Sequence, residues 1–361
     1  GLARGAGVVL SGENALLNVI GRTVDIGDIP PSEEKTVEFK GVLPTEIQAG
    51  NATLNVIVKE GRGYTPAEKK SFTIAIKPAE IKETKQVISE LSDVDMIPAK
   101  TDAYKRENSY AVIVGISRYR DEIIPAVKYA GSDAQAFAAY IENLGGVPKQ
   151  NIKILTDDKA TKSDLEAYLE DWLPKRVNKD SEVFVYYAGH GAPDIENNEA
   201  YLVPYDGHPD FKSKLYPLKR MYEALNKLPA GQVVVMLDSC FSGAGERSVA
   251  REGARPLSIS IENPVLAGGK VSVLAAATGS QISSDYNKVK HGLFTYYLLK
   301  GMKGEADKDN DNAVALGELY DYLKDNVSKT ASIELNREQT PVLLPDVKEN
   351  SSRKIKITRI K

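Results

Sequence analysis

The chain has 361 residues, enough for two domains or one large one. Its hydrophobic (42%) and charged (27%) fractions are those of an ordinary globular protein, and a net charge of −3 gives no field suited to nucleic acid or an anionic lipid surface. No apolar run approaches the roughly 20 residues that cross a bilayer as a helix, and the single cysteine, Cys240, excludes an intramolecular disulfide. That cysteine count fits a reducing compartment and equally an exported protein that is stable without disulfides. The chain starts Gly-Leu-Ala-Arg without Met, which reads as a processed fragment whose address has been removed.

Residues 1–80 show short apolar stretches: Val8–Leu10, Ala15–Ile20, Val24–Ile29, Thr36–Phe39, Ala52–Val58 and Ser71–Ile76. They are separated by turn signals such as Ser11-Gly12, Pro30-Pro31 and Gly50-Asn51. Leu54, Val56 and Val58 fall on one face at the strand period of two. The spacing predicts a small all-β, immunoglobulin-like sandwich with no chemistry-bearing residue, a spacer or docking module. Residues 81–104 are polar and charged and read as a linker, with a short helix at Lys82–Leu91.

From residue 105 strands alternate with helices. Tyr110–Ile116 is a continuous apolar run, as in a strand covered on both faces. Phe137, Tyr140, Ile141 and Leu144 recur at helical spacing, and Gly145-Gly146 supply a left-handed stop. Strands are predicted at Asn151–Leu155, Glu182–Tyr187, Gln232–Leu237 and Val271–Ala277. Thr161-x-x-Asp164 starts a helix carrying Leu165, Leu169 and Trp172, and further helices are predicted at Leu218–Leu228, Leu293–Met302 and Leu316–Val327. The order means an α/β fold with a mainly parallel sheet flanked by helices over residues 105–361.

Two of the predicted strands end in unusual punctuation: Tyr186-Tyr187-Ala188-Gly189-His190-Gly191 and Leu237-Asp238-Ser239-Cys240-Phe241-Ser242-Gly243. The carboxyl ends of strands in an open parallel sheet line the ligand crevice. A histidine and the only cysteine therefore emerge on one rim, an arrangement for nucleophilic attack by sulfur with imidazole as base and acid. The amides of Gly191 and Cys240 are candidate oxyanion donors.

His-Gly after a Tyr-Tyr-Ala-Gly strand, then Asp-Ser-Cys-Phe-Ser-Gly about 50 residues on, resembles the caspase/metacaspase superfamily of cysteine peptidases. So do Ala111–Ile116 followed by Ser117-x-Tyr119, Tyr129-Ala130-x-x-Asp133-Ala134, and His291–Leu299. The resemblance covers roughly residues 105–330. It implies a caspase-type fold, a Cys240–His190 dyad, peptide-bond hydrolysis without a required cofactor, and a monomer. Caspases carry Gln-Ala-Cys-Arg-Gly at the nucleophile, and this chain does not, so cleavage after Asp is not implied. Instead Asp238 stands beside the nucleophile, and the resemblance to metacaspases puts Asp133 in the same pocket. Two carboxylates there would select Arg or Lys before the scissile bond. Asp133 also reads as a helix N-cap, and Asp238 as a strand-end carboxylate bonded to local amides.

The stretch 241–270, with Arg247, Arg251, Arg255 and Lys270, is a candidate for self-cleavage or an uncut exposed loop. Asp307, Asp309, Asp311, Ala313 (through its carbonyl) and Glu318 have the spacing of an EF-hand calcium loop, with Asn312 where glycine is usual. A solvated Asp/Asn-rich turn between two helices fits the same residues. His208 and His291 read as structural or exposed, and Arg353–Lys361 as an edge strand or a solvated end rather than a nucleic-acid patch. The alternative to a peptidase is a catalytically silent caspase-like interaction module. A β-sandwich fused ahead of such a domain leans toward an extracytoplasmic site in a bacterium.

Overall fold

A computed structural model describes residues 2–11, 23–39, 50–63, 70–76, 92–100, 104–194, 197–241, 266, 269–278, 281, 283–345 and 351–360. The chain divides into two compact units, Gly1–Glu90 and Leu91–Lys361. The predicted helix at Lys82–Leu91, the strand at Ala15–Ile20 and most of the stretch 241–270 lie outside the described residues.

In the first unit β1 (Ala3–Ser11), β2 (Thr23–Ile29), β3 (Gly50–Lys59) and β4 (Lys70–Ile76) form one antiparallel sheet in the order β2-β1-β3-β4. The register pairs Val8 with Val58 and Leu10 with Val56, so the period-two apolar residues share one face. Ala6, Val8, Leu10 and Leu54 are buried there. The strand expected at Thr36–Phe39 is absent. Two apolar residues, Val37 and Phe39, after the Pro30-Pro31 turn do not suffice where no neighbouring strand offers a ladder among the described residues.

The second unit opens with irregular residues 92–100, whose Val94 is fully buried and accepts a hydrogen bond from the Tyr140 hydroxyl (2.8 Å). Then come β5 (Tyr110–Gly115), α1 (Ala130–Asn143), β6 (Ile152–Thr156), α2 (Lys162–Glu166), β7 (Glu182–Ala188), β8 (Gly191–Asp194), β9 (Glu199–Leu202), β10 (Tyr216–Pro217) and α3 (Leu218–Lys227). The chain continues through β11 (Gln232–Asp238), β12 (Val271–Ala275), β13 (Asp285–Tyr286), β14 (His291–Gly292), α4 (Leu293–Lys300), β15 (Ala313–Ala315), α5 (Leu316–Glu334), β16 (Val342–Leu344) and β17 (Lys356–Arg359). The central sheet runs β16-β12-β11-β7-β5-β6, all parallel except β16 at one edge. The fold is therefore α/β with a mainly parallel sheet.

The continuous apolar runs explain the strand placement. Every residue of β12, and all but the first of β5, β7 and β11, is buried, as expected of strands with helices over both faces. The Thr161–Asp164 capping box forms and starts α2, which continues as a wider π turn over Ala167–Trp172. Helix α5 runs past the expected Val327 to Glu334, because Thr330 and Ala331 extend its buried stripe. The basic tail supplies β17, paired with β15. Among the described residues no helix is long and apolar enough to cross a membrane.

Candidate active site

β7 and β11 lie side by side in parallel register, with Ala188 opposite Asp238. Each chain runs on two residues past that pair, one to His190 and the other to Cys240. The two loops touch: a Cβ added to Gly191 would lie 2.4 Å from the Cys240 carbonyl oxygen and 2.5 Å from the Phe241 ring. Only glycine permits this approach. His190 is fully buried and Cys240 is 1% exposed.

His190 is held by its main chain and by its ring. The His190 amide donates to the Tyr119 hydroxyl (2.7 Å), and the Tyr187 hydroxyl donates to the His190 carbonyl (2.7 Å). Burial pushes the Tyr187 phenol well above its ordinary pKa, so it acts as a donor. Nε2 of His190 lies 2.7 Å from the Pro125 carbonyl. A carbonyl only accepts, so Nε2 carries the hydrogen, and Nδ1 is the basic nitrogen of the neutral ring. Tyr119 and Pro125 lie in the loop after β5. Sheet order reverses between β5 and β7, the switch point at which such folds open their crevice.

The sulfur of Cys240 donates to the Gln281 carbonyl at 3.0 Å. Asp238 is fully buried and accepts from two hydroxyls, Ser283 Oγ (2.7 Å) and Thr295 Oγ1 (2.6 Å). Thr295 gives its one hydrogen to the carboxylate, so the Tyr186 hydroxyl, 2.7 Å away, donates to Thr295. Asp238 thus meets hydroxyls from the β12–β13 connection and from α4.

Asp133 is also fully buried. It does not cap α1, whose N-cap is Tyr129. It reaches instead to His291 Nδ1 (2.6 Å) and accepts from the Gly292 amide (2.9 Å). Gly292 is the N-cap of α4 and Thr295 lies in its first turn, so the two acidic residues meet positions three apart at the start of one helix, where a carboxylate is favoured. His291 is buried rather than exposed, and Asp95 stands 3.2 Å from its Nε2. Burial alone would lower its pKa, but the hydrogen bond and charge of Asp133, with the charge of Asp95, raise it overall. His208 is partly buried, 3.4 Å from Asp121 and against Phe211.

Apart from this site, Asp307, Asp309 and Asp311 bring carboxylate oxygens within 4.8 Å of one another. Glu318 folds back onto the amides of Lys308 (3.0 Å) and Ala315 (2.9 Å), and the Ala313 amide donates to Asp311 (2.8 Å). Asn310 and Asn312 take left-handed backbone angles, φ 60° and 64°. The loop does cap α5, as a turn would. Its donors are all oxygen, and Asp307 Oδ1 is buried without a hydrogen-bond partner, which suits a hard cation.

Pro125, Gln281, Ser283 and Thr295 were not foreseen from sequence. Pro125 and Gln281 act through main-chain carbonyls, which every residue possesses, so no residue type signals them. Tyr119 sits in the Ile116-Ser117-x-Tyr119 stretch and was legible only as part of that pattern.

A family model described as Caspase domain (Peptidase C14) matches residues 108–350. Metacaspase-1A of Aspergillus oryzae is 25% identical over 154 residues, which is 37% of this chain and 34% of that protein. The chain thus spans about a third of the length of the curated relative it matches. A solved structure of a Geobacter sulfurreducens protein covers 70% of this chain and 99% of its own (18% identity, TM-score 0.49). Caspase-1 from Spodoptera frugiperda covers 68% and 91% (10% identity, TM-score 0.46).

Proposed function

Because the chain belongs to the caspase domain family, we propose that it is a cysteine endopeptidase with Cys240 as nucleophile and His190 as its base. The observation that carries this reading is the register of β7 and β11: His190 and Cys240 each follow an Ala188–Asp238 pair by two residues. In the reaction, Nδ1 of His190 takes the thiol proton as sulfur attacks the peptide carbonyl carbon. The amides of Gly191 and Cys240 are the proposed donors to the oxyanion. The imidazolium returns its proton to the leaving amine, and water, deprotonated by the same ring, releases the acid from the thioester. The Pro125 carbonyl fixes the ring and its tautomer, a positioning role.

We propose cleavage after Arg or Lys. The support is chemical: Asp238 is two residues from the nucleophile, and Asp133 joins it at the start of α4. A panel of fluorogenic peptides ending in Arg, Lys, Asp or Asn, run beside Cys240→Ala, tests both parts. Arg/Lys cleavage lost in the variant supports them together. Asp or Asn cleavage keeps the dyad and refutes the pocket.

Two subsidiary proposals stand on the same chain. Self-cleavage in 241–270 is tested by intact mass of wild type against Cys240→Ala after incubation, equal masses ending the idea. Calcium binding by Asp307, Asp309, Asp311, Ala313 and Glu318 would supply a structural clamp ahead of α5. Calorimetry of the native protein without heat on calcium addition would remove it.

A further inference from the structure

The residues that follow β12 hold both chemistry-bearing groups at once. The Gln281 carbonyl accepts the Cys240 thiol hydrogen (3.0 Å), and Ser283 Oγ donates to Asp238 (2.7 Å). These residues are in turn tied to the stretch just before β16. The Thr340 amide donates to Gln281 Oε1 at 2.7 Å, and Gln281 Nε2 lies 3.5 Å from Thr340 Oγ1. One residue back, the buried Gln339 side chain accepts from the Ser284 amide (3.0 Å) and donates to the Ala276 carbonyl (3.3 Å). Two glutamines thus interlock in opposite directions, one reaching from the β12–β13 connection and one reaching into it.

This arrangement withdraws the sulfur. A cysteine attacks as thiolate, so the hydrogen must leave the Gln281 carbonyl before an imidazole can take it. At 1% exposure no peptide carbonyl can approach the sulfur. We infer that Gln281 is a positioning residue for Cys240: its carbonyl holds the thiol withdrawn, and its side-chain clasp on Thr340 sets how often the sulfur is released. The catalytic consequence rests on Cys240 being the nucleophile, but the clasp can be measured without any substrate.

The single cysteine makes alkylation report on one atom. The experiment is the rate of iodoacetamide modification of the native full chain, well below its unfolding range. Gln281→Ala should react about fivefold faster, since a neutral hydrogen bond contributes about 1 kcal/mol net and RT ln 5 is about that size. Gln281→Glu keeps an acceptor for the Thr340 amide and should stay near the wild-type rate. Tyr216→Phe, which removes a distant hydrogen bond to Glu170 (2.8 Å), should leave the rate unchanged. Gln281→Ser, too short to reach Thr340, replaces the alanine variant if that fails to fold. An unchanged rate in the shortened variant overturns the inference, as does an equal rise in Tyr216→Phe or in Gln281→Glu. A chain that labels faster but cleaves no peptide would sink the peptidase reading and leave the clasp intact.

Discussion

The two sheets of this chain are built on different periods, and the difference separates scaffold from chemistry. In the first unit apolar residues alternate, so one face of the four-stranded sheet carries Ala6, Val8, Leu10 and Leu54, and the edge strand β4 leaves Phe72 about half exposed (53%) on that same face. In the second unit β5, β7 and β11 are largely apolar on both faces and buried past their first residues, and β12 is buried throughout. A strand buried on both sides has only its ends in which to place polar groups, and there His190, Cys240 and Asp238 stand. The alternating sheet has polar positions along its whole length.

The comparison can be broken most directly at Cys240. Cys240→Ala should abolish peptide cleavage, a loss of about a thousandfold or more in kcat, while thermal unfolding stays within a few degrees of wild type. Next in size is the core itself. Leu237→Ala in β11, fully buried, should cost about 2–5 kcal/mol by denaturant titration, whereas Phe72→Ser on β4 should stay within about 1 kcal/mol. Equal losses would show that the edge of the first sheet is as packed as the central one. Gly191→Ala should cost about 1–3 kcal/mol and most of the activity, because its Cβ meets the main-chain carbonyl of Cys240 as well as the Phe241 ring, and the carbonyl cannot turn aside.

The smallest expected effect is in pH, and its sign differs between the units. His291 has a raised pKa in the folded chain, so the stability it contributes is complete below its ordinary value near 6.5 and is lost as pH rises through the folded value. The groups facing it are Asp133 from α1, Asp95 from the segment ahead of β5, and Tyr286 across the β13–β14 ladder. Glu60, beside β3, is lowered from 4.5 to about 2, first by its hydrogen bond with Arg62 and then by the Arg4 amide. Its contribution is present above 4.5 and fades as pH falls toward 2. Thermal unfolding of His291→Gln should therefore converge on wild type at alkaline pH, and that of Glu60→Gln at acid pH. Parallel curves for either variant would remove that group from the account.

Much of the second unit was readable without coordinates, for a local reason. Continuous apolar runs, the Thr161–Asp164 box and the Gly-rich ends of β7 and β11 are each determined within about ten residues, and the strand, helix and rim positions of His190 and Cys240 followed from them. Sequence also determined that one face of each early strand is apolar. What it could not determine is which groups meet across 40 to 160 residues of chain. His291 read as structural or exposed until folding set it on Asp133, 158 positions away. Asp133 read as a pocket carboxylate or a helix cap, and neither reading foresaw that it would meet His291 and the Gly292 amide. Pro125 and Gln281 act through carbonyls that carry no residue signature, so only tertiary structure could place one on His190 and the other on Cys240. Local periodicity is written in the side chains. The pairing of main-chain atoms is decided by the packing of the sheet and helices that bring them together.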